Sequence, residues 1–367
     1  MNITEVLVPP QAIAWLPWAV QYFFYIGSAY AAAILFFIAL IFQKQTSHQL
    51  RAALVLTVAI SAIVGPLALT GDLHQPGRAW HFYAHFTPWS WMSMGAIFLP
   101  IFSGLAIATA WLYLRDDLIC LKNSKSKFFQ TLSMLSLGNW KTTRKTMISM
   151  AALTVISGLT IATYTGAEIA IIEARPLWHQ PASPLLWFTT AFLGAVGFTL
   201  IIWFMLPAKS QQNTLTYSDL RLLKQTVILS SISALLLIPL WGTNNPTFSL
   251  YSDSQWLINI SLLSMVLLGN ILLAVITLRE NHRTASLILM SFITLCSAWA
   301  IRWITIMEAQ TIPKFDVGPY PYELPMNSTG LLGILGMLGL WIALAMIGSE
   351  LIQSKNTLSP QASFSEH

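Results

Sequence analysis

Ionisable side chains are scarce in this chain, and a few of them lie inside long apolar segments or directly at their ends. Asp72, His74 and Glu168 can each accept a proton, and Tyr164, four residues before Glu168, can donate or accept a hydrogen bond. An ionisable group held among apolar residues is costly unless it is paired or faces a cavity. These residues are therefore the first candidates for a functional site that exchanges protons.

The segments around these residues are typical of a membrane protein. Only 9% of the 367 residues are charged and 55% are apolar, whereas a soluble domain carries about a quarter charged residues. Nine apolar runs have the length of about 20 residues that a helix needs to cross a bilayer. The sequence predicts an all-α integral membrane protein, a bundle of about nine transmembrane helices. The predicted spans are residues 18–42, 52–71, 90–114, 146–167, 184–208, 225–242, 256–278, 284–307 and 327–349.

The distribution of basic residues predicts the orientation of the bundle. Of the 19 Lys and Arg residues, 15 follow predicted spans 1, 3, 5 and 7 or lie in the tail. By the positive-inside rule the N-terminus is periplasmic and the C-terminus is cytoplasmic, as an odd number of spans requires. The net charge of +5 is thus interpreted as a topology signal and does not indicate nucleic-acid binding. We predict one transmembrane domain, residues 1–353, and a polar cytoplasmic tail, residues 354–367.

In this orientation the candidate residues converge on the periplasmic end. Tyr164 lies about 27 Å from the cytoplasmic start of its helix, and Glu168 follows one turn later on the same face. Gln21 and Tyr22 lie near the periplasmic start of the first span, and Arg302 is predicted at a height similar to that of Tyr164.

Other interpretations fit the same residues. Tyr and Trp favour membrane interfaces because their rings are amphipathic, Glu168 fits a position among headgroups, and Arg302 could extend its charge to the surface. Intramembrane charges also suit a transporter or ion channel, although these charges lie at one face of the membrane. A purely structural anchor for a redox partner is a further alternative.

Haem and metal are not expected in this chain. A haem held inside a helical bundle needs His residues within the helices, and the seven His residues fall in predicted loops, at helix ends or in the tail. His81 and His85 are four residues apart, which alone is a weak indication of a metal site. Cys120 and Cys296 have no metal-ligand or disulfide spacing.

Two motifs on the periplasmic side resemble the membrane subunits of the NrfD/polysulfide reductase (PsrC-like) family. Residues 72–81 (DLHQPGRAWH) with 90–96 (SWMSMGA) are similar to that family's loop into its third helix. Residues 164–166 (YTG) with 175–178 (RPLW) are similar to its fourth helix and exit. A weaker likeness lies at residues 301–303, upstream of Gln310.

The resemblance implies a redox role in the bacterial inner membrane. Family members carry no haem or metal and exchange electrons with a quinone at the periplasmic side. They pass these electrons through an adjoining iron–sulfur subunit of the four-cluster ferredoxin-like type, often in a complex with a large molybdopterin catalytic subunit. The chain length and nine helices are most similar to the tetrathionate reductase branch, while polysulfide or thiosulfate, nitrite and hydrogenase complexes share the fold.

The resemblance also assigns roles to the candidate residues. The family's fourth-helix Tyr contacts the quinone, and Tyr164 matches it, so we expect Tyr164 to hydrogen-bond a menaquinol or ubiquinol. Asp72, His74 and Glu168 are the predicted proton acceptors, with Arg78 as the predicted partner of Asp72. The predicted quinone-binding residues are Tyr164, Gln21, Tyr22, Arg78, Arg175 and Arg302.

Overall fold

The computed structural model describes residues 13–73, 75–123, 127–206, 215–243, 249–277, 284–312 and 322–352. All regular elements in these ranges are helical, and nine helices are long and apolar enough to cross a bilayer. They are α1 (Pro17–Ile41), α2 (His48–Asp72), α3 (Trp91–Cys120), α4 (Arg144–Ala170), α5 (Ala182–Met205), α6 (Tyr217–Thr243), α7 (Ser254–Thr277), α8 (Thr284–Thr311) and α9 (Leu331–Glu350).

Each of the nine predicted spans coincides with one of these helices. The largest difference at a helix start is in α6, which begins at Tyr217, eight residues before the predicted start. Its first two turns carry Asp219, Arg221 and Lys224, which end the apolar run without breaking the helix. The orientation of the bundle across the membrane stays a prediction, and the tail 354–367 lies outside the described residues.

Helices α1, α2 and α5 form the centre of the bundle, and the other helices expose long apolar faces. Glycines let α1 and α2 approach closely. A Cβ added at Gly65 would lie 3.2 Å from the backbone nitrogen of Ile26, and one added at Gly71 would lie 3.0 Å from the ring of Trp18. Small residues at a helix contact strengthen packing in a bilayer, where no hydrophobic force drives helices together.

Two prolines open a space between α2 and α3. Pro66 lies inside α2 and Pro100 inside α3. Each proline lacks the N–H that would bind the carbonyl four residues earlier, and its ring bends the helix. In α2 the carbonyl so released is that of Ala62, which accepts a hydrogen bond of 2.8 Å from the Ser103 hydroxyl of α3. The two helices are thereby joined beside the space that the prolines create.

Candidate functional site

Tyr164 of α4 lies directly against Gly95 of α3. These two residues belong to the two family-like motifs, which the fold therefore brings together. A Cβ added at Gly95 would lie 2.2 Å from Cζ of Tyr164 and 2.3 Å from its hydroxyl oxygen. Only glycine leaves room for the phenol ring at this place, and Tyr164 is itself almost completely buried.

The phenol of Tyr164 forms part of the wall of a cavity of about 390 Å³. The cavity lies between α2, α3 and the segment that connects them, and its volume is within the range of small-molecule sites. Its wall is mostly apolar, with a few hydroxyl groups. Residues of the wall besides Tyr164 include Pro66, Thr70, Leu73, Tyr83, Ala96 and Ser103.

Three further candidates lie around Tyr164. Tyr22 of α1 and Glu168 of α4 are within electrostatic reach of the Tyr164 hydroxyl, and Asp72 is within reach of Glu168. The structure thus brings Tyr164 and Glu168 together and places Asp72 within electrostatic reach of Glu168.

Buried polar atoms around Tyr164 are incompletely satisfied in the described part of the chain. Tyr22 is fully buried and Glu168 almost so. The Tyr22 hydroxyl and Oε2 of Glu168 lie near the Tyr164 hydroxyl, but neither makes a hydrogen bond of good geometry with a described residue. Nε2 of Gln21, next to Tyr22 in the sequence, also makes none. Buried polar groups without a partner are unfavourable by about 1–3 kcal/mol each. Tyr22 and Glu168 lie next to Tyr164, which lines the cavity, and this arrangement fits a site for a ligand with hydroxyl or carbonyl groups.

Asp72 also holds the start of α1. Its Oδ1 accepts a hydrogen bond of 3.2 Å from the backbone nitrogen of Leu16. Gln310 at the end of α8 binds the preceding residues, accepting from the nitrogens of Ala14 and Trp15 at 3.1 and 3.0 Å and donating to the Trp15 carbonyl at 3.0 Å. These contacts fix the segment that delivers Tyr22 to the site.

The motif at residues 175–178 clamps the end of α8. Nη1 of Arg175 donates to the carbonyls of Gln310 and Ile312 at 3.1 and 2.7 Å, and burial lowers the pKa of its guanidinium. Nε1 of Trp178 donates to the Thr305 carbonyl, within the π-helical turn Ile304–Glu308. Both side chains donate hydrogen bonds to backbone carbonyls in the π turn or at the helix end, where the regular helical donors are missing. The predicted quinone-binding role of Arg175 stays a prediction beside this structural one.

Arg302 lies deeper than the sequence suggests. It is 1% exposed, so its charge does not extend to the surface. Its guanidinium donates to Oγ1 of Thr190 at 2.6 Å and to the Trp187 carbonyl at 2.8 Å. A Cβ added at Gly27 would lie 3.2 Å from Nη2, and Gly27 is five residues, or about 8 Å, further along α1 than Tyr22. Arg302 is not part of the described cavity wall, and its predicted quinone contact stays a prediction.

The remaining candidates lie at the edge of the site or outside the described residues. Arg78 is exposed in the 3-10 turn Pro76–Arg78, and its pairing with Asp72 stays a prediction. His74 is not among the described residues. The rings of His81 and His85 are 5.7 Å apart on the connecting segment. No group of three or more His, Cys, Asp or Glu residues that could hold a metal is found in the described part of the chain.

Some residues of the site were not identified from the sequence. Pro66, Pro100, Ser103 and Tyr83 all line the cavity. The two prolines inside apolar spans were the available signal, because proline in a membrane helix releases a carbonyl and bends the helix.

The fold and the site define a class of protein: a helical membrane protein with an apolar-walled cavity and a cluster of titratable groups beside it. The chain belongs to the NrfD family, since the family model described as "Polysulphide reductase, NrfD" matches residues 6–314. The resemblance of the two motifs is thereby confirmed.

Two curated proteins are similar to the chain over almost its whole length. A tetrathionate reductase subunit of Salmonella typhimurium (strain LT2) is 35% identical over 357 residues, which cover 95% of each chain. A selenate reductase subunit of Mesobacillus selenatarsenatis is 22% identical over 369 residues, covering 92% of this chain and 85% of that one. The predicted likeness to the tetrathionate reductase branch is confirmed.

Proposed function

We propose that this chain is the quinol-oxidising membrane subunit of a periplasm-facing respiratory complex in the bacterial inner membrane. One observation carries the proposal: Tyr164 lines an apolar cavity and lies beside the Tyr22 hydroxyl and the Glu168 carboxyl group, whose buried oxygens make no hydrogen bond of good geometry with the described residues. A quinol has an apolar ring and chain with two hydroxyl groups, and this site offers matching surfaces.

The cavity is accessible to a lipid-soluble molecule. Leu67 of α2 and Met92 of α3 belong to its wall and are both exposed on the side of the bundle. The entrance therefore faces the region that lipid chains occupy. This position distinguishes the cavity from the water-filled path that a transporter or channel requires.

The residues around the cavity can bind a hydroxyl group and receive its proton. When bound, a quinol supplies two electrons and two protons. Tyr164 is placed to hydrogen-bond one hydroxyl oxygen. Ala96 also lines the cavity, and its carbonyl is the acceptor whose helical donor Pro100 removes. Glu168 is the proton acceptor next to Tyr164, and Asp72 and His74 are proposed as further proton acceptors.

The connecting segment between α2 and α3 is suited to bind a protein partner. It exposes the rings of Trp80, Tyr83, Phe86 and Trp89, and exposed aromatic residues are enriched in protein interfaces. Tyr83 belongs both to this surface and to the cavity wall. A partner bound here would be separated from the cavity by a single layer of side chains. We propose that this partner is an iron–sulfur subunit and that a large molybdopterin enzyme completes the complex.

The similarity to a tetrathionate reductase subunit over 95% of both chains supports a complex of the tetrathionate reductase type. The terminal acceptor is determined by the catalytic partner and not by this chain. We also propose that residues 1–353 form one transmembrane domain, with 354–367 as a cytoplasmic tail.

Replacement of Tyr164 by Phe tests the proposal. The variant keeps the ring against Gly95 and removes one hydrogen bond to the substrate, so we expect quinol oxidation by the assembled complex to slow by about tenfold. Tyr217→Phe is the matched control, because Tyr217 is exposed at the start of α6. Co-purification with the partner subunits should be unchanged in both variants. Unchanged turnover of Tyr164→Phe would remove this residue from the site.

A structural anchor without a quinol site is the remaining alternative, since both relatives are named as subunits of reductases. An anchor and a quinol-oxidising subunit would both co-purify with an iron–sulfur protein. Only the latter should bind a quinol analogue, and this binding should weaken in Tyr164→Phe. Equal binding to wild type, Tyr164→Phe and protein-free membranes would favour the anchor.

A further inference from the structure

Residues 133–140, between α3 and α4, form a 3-10 turn (Ser133–Ser136) and a loop, and together they expose four large apolar side chains. This segment, here called the apolar loop, contains Met134, Leu135, Leu137 and Trp140, with Met134 75% and Leu137 69% exposed. It lies at the end of α3 opposite the Tyr164 cavity. In water such a cluster of exposed apolar side chains would be unfavourable.

Arg115 of α3 holds the apolar loop in one conformation. Arg115 is completely buried. Its Nε donates to the Ser136 carbonyl at 2.8 Å, its Nη2 donates to the Gly138 carbonyl at 2.6 Å, and its Nη1 donates to the Trp140 carbonyl. Its guanidinium also lies 3.6 Å from the centre of the Trp140 ring. The exposed apolar side chains are therefore presented by a fixed backbone.

The apolar loop returns towards the membrane-spanning part of α3. Nε1 of Trp111 donates to the Leu135 carbonyl at 2.8 Å. Trp111 is nine residues, or about 14 Å, before Cys120 at the end of α3. The chain leaves α3 at its end and then folds back along the outside of the helix. Leu135 consequently lies beside Trp111, which belongs to the apolar run 90–114 that predicts a membrane span.

The backbone conformation of Leu137 indicates that an apolar side chain has a function at this position. Leu137 has a φ of 51°, in the left-handed region, which glycine or asparagine adopts more readily than leucine. The leucine makes the turn less favourable and exposes most of its side chain. If this surface faced water, glycine or asparagine in place of Leu137 would make the folded state more stable.

Basic residues flank the apolar loop. Lys141, Arg144 and Lys145 follow it, and Lys122 and Lys127 precede it, all of them exposed. Apolar side chains bordered by Lys and Arg are the pattern of segments that lie in the interface of an anionic membrane, where each basic residue near the surface adds to the attraction.

We propose that the apolar loop is a binding surface for anionic phospholipids. Its apolar side chains enter the boundary between headgroups and acyl chains, and Lys141, Arg144 and Lys145 bind the phosphate groups above them. The surface is independent of the proposed quinol site, since it lies at the other end of α3.

Spin labelling of the full-length chain in lipid vesicles tests this proposal. A nitroxide is attached to Met134→Cys in a background of Cys120→Ser and Cys296→Ser. The accessibility of this label to oxygen, which enters the bilayer, is compared with its accessibility to a water-soluble nickel complex. We expect a several-fold higher oxygen-to-nickel ratio than for a label at Asn123, which is exposed just beyond the end of α3. The ratio at residue 134 should be larger in vesicles containing phosphatidylglycerol than in phosphatidylcholine.

Two variants separate the contributions of the apolar and basic residues. Leu137→Asn keeps the left-handed turn and removes the apolar side chain, so it should lower the ratio at residue 134. Lys141→Glu with Lys145→Glu should abolish the difference between the two lipids. A label at residue 134 that is equally accessible to nickel in both lipids would overturn the proposal. Protection of the label in detergent by partner subunits would overturn it in favour of a protein interface.

Discussion

Two buried polar centres flank α1, and they differ in how far the protein satisfies them. Arg302 donates to Thr190 and to the Trp187 carbonyl on α5 and to the Ala298 carbonyl of its own helix, and only its Nε has no partner among the described residues. The centre around Tyr164 and Glu168 instead leaves buried oxygen atoms without a described partner and borders a cavity. Buried polar groups that bind protein partners stabilise the packing of helices. Buried polar groups without such partners indicate a site for a ligand.

The two centres would be indistinguishable from residue types alone. A buried Arg and a buried Glu are each unfavourable unless hydrogen bonds offset their loss of water. The Arg302 centre obtains three of these hydrogen bonds within the fold, from groups of α5 and α8. The Tyr164 centre would obtain them from a bound quinol. Predictions that treat one centre as structural and the other as functional therefore test the comparison.

The largest effect is expected for Glu168→Gln. Glutamine keeps the shape of the side chain but cannot take up a proton, and a positioned acid or base contributes about 10²–10⁴-fold to a rate. Quinol oxidation by the assembled complex should fall by about 10²-fold or more, with assembly unchanged. Glu173→Gln is the matched control, because Glu173 is exposed just beyond the end of α4. Equal losses in the two variants would contradict a specific role for Glu168.

The next effect is expected for Gly95→Ala. The added Cβ would overlap the Tyr164 ring, and a shift of about 1 Å in a reacting group can lower a rate by about 10²-fold. We expect turnover to fall by about 10- to 10²-fold, with a raised KM for quinol. Gly104→Ala in the same helix has open space around its Cβ and should leave turnover unchanged. Normal turnover of Gly95→Ala would show that the position of Tyr164 is unimportant.

Much of this arrangement could be predicted because a bilayer imposes simple rules on a sequence. The length of each apolar run determined each span, and the π turn after Trp303 did not disturb the prediction of α8. Tyr164 and Glu168 could be placed together because four residues make about one helical turn. The predicted topology placed Asp72 and Tyr22 at the same end of the bundle as this pair, and the family resemblance suggested that they belong to one quinone site.

The sequence could not predict which polar residues the fold satisfies. Arg302 and Arg175 looked like ligand-binding residues because a charge near a membrane span is unusual, yet their donors bind backbone carbonyls that only the packed structure brings close. The height of Arg302 was misjudged for a related reason. The end of α8 continues through a π turn to Thr311, which places more helix above Arg302 than the apolar run indicates.

A smaller effect separates the Arg302 centre from catalysis. Arg302→Leu leaves Thr190 and two carbonyl contacts without their donor, so we expect the free energy of unfolding to fall by about 1–3 kcal/mol. The KM for quinol should be unchanged. The measurement is the midpoint of thermal unfolding of the purified chain, with Arg221→Leu as control, because Arg221 is exposed near the start of α6. A tenfold rise in KM without loss of stability would place Arg302 in the quinol site and break the comparison.

The smallest effect concerns the contact between Ser103 and the Ala62 carbonyl that shapes the cavity. Ser103→Ala removes this hydrogen bond of 2.8 Å and should lower the free energy of unfolding by about 1 kcal/mol. In the Pro66→Ala background the backbone N–H of residue 66 can bind the same carbonyl, so Ser103→Ala should there be nearly neutral. The free energies of unfolding of the four proteins form a double-mutant cycle. The difference between the two Ser103→Ala effects reports whether the Ser103 hydroxyl replaces the hydrogen bond that Pro66 removes. Equal losses in both backgrounds would show that the Ser103 hydroxyl does not replace the hydrogen bond that Pro66 removes from the Ala62 carbonyl.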